Sequence, residues 1–126
     1  MKEHILQQRI VAWIEATWPD VVIAVNPYSG MRMTSRQAIA AKRQGLRPGL
    51  PDLAIYEPRG GYHGLFIELK IDGSRIVKKD GSPVSEHVAR QLDIAAKLNE
   101  RGYLSLICIG ETNAKEAIVE YMEKKL

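Results

Sequence analysis

Three side chains near the middle of the chain are of types that do chemistry together: Asp52, Glu68 and Lys70. They bracket the stretch GLPDLAIYEPRGGYHGLFIELK, which runs from Gly49 to Lys70. Two carboxylates set side by side repel each other, so bringing them together calls for a cation. Oxygen donors favour a hard divalent ion. Mg²⁺ or Mn²⁺ suits, because such an ion keeps part of its water shell and still takes phosphate. It would activate a bound water and neutralise the charge that builds on a phosphodiester in its transition state. Lys70 would then orient the attacking hydroxide, stabilise the pentavalent phosphate or act as general base, and the residues leave that choice open. A plainer reading stands beside this one, with Asp52 satisfying backbone amides at a strand edge and Glu68 and Lys70 forming a surface pair. The combination favours chemistry: a proline-preceded aspartate, a glycine turn, a Glu-x-Lys pair and basic segments on both sides.

Such a cluster needs elements that hold it. Leu53 to Tyr56 and Leu65 to Leu69 are rich in strand formers, and Gly60-Gly61 between them marks a turn. Side chains alternate along a strand, so Glu68 and Lys70 share a face while Leu69 enters the core. Pairing of the two strands sets Asp52 beside Glu68. Upstream, Lys2 to Thr17 reads as a helix with Ile5, Leu6, Ile10, Trp13 and Ile14 as its buried stripe, ended by Trp18-Pro19-Asp20. Val21 to Val25 reads as a short strand leading into the turn Asn26-Pro27-Tyr28-Ser29-Gly30. Asn26 either reaches the same pocket as the carboxylates or serves that turn.

Ser35 to Gln44 has the composition of a short helix capped by Ser35. It lies within a basic, mobile excursion at about 30–49 that carries few large apolar residues. Downstream, Asp72 to Pro83 reads as a loop with a turn at Asp80-Gly81. A second long helix is expected from about Ser85 to Arg101, with Val88, Leu92, Ala95, Ala96 and Leu98 buried. Tyr103 to Ile109 is apolar almost throughout, which suits an interior strand. Asn113 and Glu116 have the spacing of a capping box for a last helix. The expected order is α-β-β-β-α-β-α. Its last two strands are parallel and joined by a right-handed crossover, and helices cover a mixed central sheet on both faces. This is a single α/β domain over residues 1–126.

The net charge of +3 favours a polyanionic partner only mildly, and its distribution says more. Between Met31 and Leu50 stand Arg32, Arg36, Lys42, Arg43 and Arg47 with no acidic residue, and the later loop adds Arg75, Lys78 and Lys79. Such runs hold backbone phosphate by charge or serve as solvated faces. The lone Cys108 sits in an apolar pattern and reads as a small buried hydrophobe, and no Cys/His metal-ligand spacing occurs. The glycines at 45, 49, 60, 61 and 64 match neither a Walker A loop nor a dinucleotide fingerprint, so no organic cofactor is expected. With no signal peptide and no membrane-length apolar run, a cytoplasmic protein without a membrane partner is expected.

Pro51-Asp52 followed by Glu68-Leu69-Lys70 resembles the PD-(D/E)xK nuclease signature. GLPDL, the GLFIELK strand and Gln91 on the next helix are similar to its VRR-NUC branch, and the likeness extends from Glu3 through the final helix. The resemblance implies a restriction-endonuclease-like α/β core and metal-dependent hydrolysis of phosphodiesters. It implies Asp52 and Glu68 as metal ligands, the Leu69 carbonyl as a further ligand, and Glu3 near the metal. Lys70 would be the catalytic lysine and Gln91 the glutamine of the following helix. Gln91 would hydrogen-bond either substrate phosphate or the lysine, with a role at the edge of the core as the alternative. Stand-alone members of that branch are associated with phage genes and with branched DNA, including four-way (Holliday) junctions, while larger relatives act in DNA repair. The expectation is therefore a structure-selective endonuclease in a bacterial host or phage-infected cell. It would work as a homodimer, because symmetric cutting of a junction needs two sites. A non-catalytic DNA-binding module with a degenerate site is the alternative.

Overall fold

A computed structural model of the chain describes residues 1–29 and 32–126. The first residues of the expected basic excursion, Gly30 and Met31, lie outside the described residues. The elements are α1 (Glu3–Thr17), β1 (Ile23–Val25), α2 (Ser35–Arg43), β2 (Leu53–Ile55), β3 (Leu65–Lys70), α3 (Glu86–Glu100), β4 (Leu104–Ile109) and α4 (Glu111–Met122). The four strands form one sheet in the order β1-β2-β3-β4. The first two pairings are antiparallel and the last is parallel. This is the mixed, open sheet flanked by helices that the pattern implied.

Alternation divides the side chains of the sheet between two layers. Leu53, Ile55, Leu65, Ile67, Leu69 and Cys108 point to one face, where Leu6, Ile10 and Ile14 of α1 and Ala114, Ile118 and Tyr121 of α4 complete the core. The opposite face carries Ala54, Phe66, Glu68 and Lys70 and is covered by α3. A helix tie fixes α1 over the sheet: Arg9 pairs with Glu111 at the start of α4, and that ion pair holds the Glu111 carboxyl down at about 2. Trp13 and Trp18 meet edge to face at 5.3 Å and pack against the core, in keeping with a packing role. Burial pushes the Cys108 thiol up to about 11, as suits an inert core residue.

Several local expectations are corrected. β4 is an outer strand of the sheet, not an interior one. Its apolar residues are instead shielded by α3 on one face and α4 on the other, so a continuous apolar run reported two covered faces rather than two strand neighbours. Thr34, not Ser35, caps α2: its hydroxyl accepts from the Gln37 amide, and the Gln37 side chain accepts from the Thr34 amide. The Asn113/Glu116 spacing forms no capping box, because α4 begins one turn earlier behind Gly110, and Asn113 Nδ2 donates back to the Ile109 carbonyl. Ile5 and Ala96 are exposed rather than buried, and Leu92, Ala95 and Leu98 are half-buried. Among the described residues of the 30–49 segment, Ala41 and Gly49 are buried and Leu46 is half-buried.

Candidate active site

The antiparallel registers pair Val25 with Leu53 and Leu53 with Ile67. Carried one residue further, they set Asn26, Asp52 and Glu68 in a row across the end of three strands, all on the α3 face. The Asn26 amide donates to the Asp52 carbonyl at 2.9 Å, which continues the ladder past the end of β2. Asn26 Oδ1 accepts from the Tyr28 amide at 3.0 Å, so its side chain shapes the turn while the residue also lines the pocket.

Two strand positions along, Lys70 brings its ammonium to 3.9 Å from Glu68 Oε1. From the first turn of α1, Glu3 comes to 4.0 Å from the same Nζ. Asp52 Oδ2 accepts from the Leu69 amide at 2.7 Å. One strand residue turns its N–H and C=O to the same side, so the Leu69 carbonyl also faces the Asp52 strand. α3 supplies Gln91, whose amide nitrogen donates to Glu68 Oε1 and lies 3.1 Å from His87 Nε2. Gln91 thus bonds the glutamate, not the lysine.

The described residues include five buried polar or charged side chains, and four of them are Asp52, Glu68, Lys70 and Gln91. Burying so much polarity at one place is unfavourable unless it is paired, and here the pairing is incomplete. Glu68 Oε2 and Gln91 Oε1 are buried with no hydrogen-bond partner among the described residues. Burial first, and the charge of Asp52 second, push the Glu68 carboxyl up to about 9, against the opposing pull of Lys70. An acid so disfavoured as an anion is ready to exchange its proton for a cation.

A cavity of about 440 Å³ opens in front of this cluster. Glu3, Asn26, Asp52, Glu68, His87 and Gln91 line it, together with residues of α2 and the 46–50 segment. Gly49 makes this arrangement possible. At φ +85° it passes so close to α3 that a Cβ would stand 2.6 Å from the Arg90 carbonyl oxygen. Sequence reasoning gave Pro48, Gly49 and Leu50 no part in lining a cavity. The available signal was a glycine held between two prolines directly before the aspartate.

The structure brings Glu3, Asp52, Glu68, Lys70 and Gln91 together, with Leu69 contributing backbone while its side chain lies in the core. The expected phosphate-gripping residues Arg32, Arg36, Lys42, Arg43, Arg47, Arg75, Lys78 and Lys79 are all exposed. Of these, Lys42 and Arg47 line the cavity, and Arg75 borders a neighbouring depression with Glu3 and Lys70. Among the described residues, no three His, Cys, Asp or Glu side chains form a metal cage. The oxygen atoms gathered at this end of the sheet are two carboxylates and a main-chain carbonyl, a set that would suit an ion retaining several waters.

An acidic pair and a lysine at one end of a mixed sheet, under a helix bearing a glutamine, define a protein of the PD-(D/E)xK-like nuclease class. More narrowly, the model of the VRR-NUC domain matches residues 1–112, and the chain belongs to that family. A solved structure described as a VRR_NUC domain protein superposes with a TM-score of 0.73 at 25% identity, covering 99% of this chain and 91% of that one. Comparison with curated proteins gives no match. Among the described residues, no helix is long and apolar enough to cross a membrane.

Proposed function

We propose that the chain is a divalent-metal-dependent deoxyribonuclease that cuts phosphodiester bonds within DNA strands, preferring branched or four-way-junction DNA. One observation carries this reading: Asp52 and Glu68 stand opposite each other on one sheet face, with an orphaned Glu68 oxygen and the Lys70 ammonium 3.9 Å away. Asp52, Glu68 and the Leu69 carbonyl would hold Mg²⁺ or Mn²⁺, and Glu3, which lines the same cavity, would add a further carboxylate near it. The ion would supply an activated water and charge neutralisation at the phosphate. Lys70 lies where it can orient the nucleophile or contact the phosphate, and Glu3 and Glu68 hold its ammonium in place. Gln91 fixes the orientation of Glu68 through its amide. Arg32, Arg36, Lys42, Arg43, Arg47, Arg75, Lys78 and Lys79 supply backbone contacts that position DNA without reading its sequence. A preference set by shape follows from that, and a homodimer would place two sites on one junction.

The exposed basic residues by themselves would serve a second reading, a DNA-binding module without catalysis. Both are tested by presenting the protein, in Mg²⁺ or Mn²⁺, with labelled single-stranded, duplex, flap and four-way DNA and mapping the cuts. The nuclease reading expects metal-dependent cuts concentrated near branch points and abolished by Glu68→Ala. Binding without cuts in either metal would favour the module.

A further inference from the structure

The cavity before the carboxylates has a mixed lining. Beside the acidic row it includes Tyr28, Met33, Leu46, Pro48 and Leu50, which bring an aromatic ring and aliphatic surface to a site otherwise suited to phosphate and metal. Backbone phosphate has no use for such a surface, whereas a nucleobase does, through stacking and apolar contact. The volume of about 440 Å³ lies in the range of pockets that take one small molecule, which is room for one nucleotide. The Tyr28 ring stacks on no other aromatic ring among the described residues.

The unpaired polar atoms point the same way. Among the described residues, four buried side-chain atoms lack a hydrogen-bond partner, and three of them belong to Ser29, Glu68 and Gln91, which line this cavity. A cation would satisfy Glu68 Oε2. Gln91 Oε1 is an acceptor and needs a donor. A phosphodiester offers only acceptors, but the amino and ring N–H groups of bases are donors.

We propose that this cavity receives one unstacked nucleobase of the strand being cut, seated against Tyr28 with a donor edge toward Gln91 Oε1. The inference rests on the nuclease reading of the carboxylates and ranks its branched substrates, with those that carry an unpaired nucleotide beside the scissile phosphate ahead of fully paired junctions. Fully paired DNA would have to give up a base to enter, and that unfavourable step is smallest where pairing is already lost.

The test compares deoxycytidine 5′-monophosphate with 2-deoxyribose 5-phosphate, each titrated into the intact protein and followed by NMR shifts, which also report folding. The base should tighten binding by roughly tenfold or more, as stacking on an aromatic ring does. Tyr28→Phe should keep that advantage, while Tyr28→Ala and the cavity-filling Leu46→Trp should remove it. Equal binding of the two probes, or an advantage that survives in both Tyr28→Ala and Leu46→Trp, overturns the proposal. The two readings fail separately. A protein that cuts DNA in Mg²⁺ but gains nothing from the base loses the base site and keeps the nuclease. One that binds the nucleotide through Tyr28 and cuts nothing keeps the base site and loses the nuclease.

Discussion

Asp52 and Glu68 are both buried carboxyl side chains, yet they relate to the fold in opposite ways. Asp52 takes the Leu69 amide as a partner, so Asp52→Ala would strand a buried N–H and should destabilise the protein by about 1–3 kcal/mol in chemical denaturation. Glu68 is poised the other way, with its carboxyl raised to about 9 chiefly by burial. In the metal-free protein, the fold therefore holds a proton that the unfolded chain releases near the ordinary carboxyl range. Between those values folding takes up a proton, so this group's contribution to stability falls as pH rises from about 5 to about 9. Glu68→Gln, which resembles the protonated form, should gain in melting temperature relative to the parent as pH climbs through that window. A gap that does not widen would contradict the burial argument. A cation competes with that proton, so Mn²⁺ affinity should rise with pH over the same range. Lys70→Ala should abolish cleavage in excess Mg²⁺ while leaving the circular dichroism unchanged, and persistent cutting by the pure variant would remove Lys70 from the chemistry.

Elements were legible from the sequence where local signals and tertiary demands agree. β3 was readable because alternation, a preceding glycine turn and the Glu-x-Lys ending all coincide, and the position of Asp52 followed from pairing alone. The outer position of β4 was not readable, because hydrophobic composition reports covered faces and is blind to which strand edges are paired. The caps of α2 and α4 were misplaced by one to three residues, since Ser35, Thr34 and Asn113 are all able to cap and only the path of the backbone selects among them. The wall of the cavity was hidden for a different reason. Tyr28, Leu46 and Leu50 are far from Glu68 in sequence, and Leu46 and Leu50 flank the Gly49 that lies against α3. Gly49→Ala must place a Cβ against the Arg90 carbonyl at positive φ. It should destabilise the protein by about 1–3 kcal/mol and move the Asp52 segment. Unchanged melting and unchanged cleavage in that variant would show that the close approach is dispensable.

For the molecule as a whole, the described fold combines an acidic pocket with exposed basic residues on α2, the loop after β3 and the segment before β2. If those cations grip backbone phosphate, the log of the binding constant should fall with log salt by roughly 0.9 for each phosphate neutralised on duplex DNA. A slope near zero would leave the basic residues as a solvated face. Association into a homodimer should appear in sedimentation at the concentrations where four-way DNA is cut, and efficient paired cutting by a monomer would rule it out. Cleavage itself depends on a divalent ion shared by Asp52 and Glu68 beside Lys70. Calorimetric titration of Mn²⁺ into the parent protein, Asp52→Asn and Glu68→Gln at one pH addresses that point most directly. Binding in the parent and its loss in each variant, with all three folded, is the expected result. Equal Mn²⁺ binding in all three, or none in the parent, would contradict it.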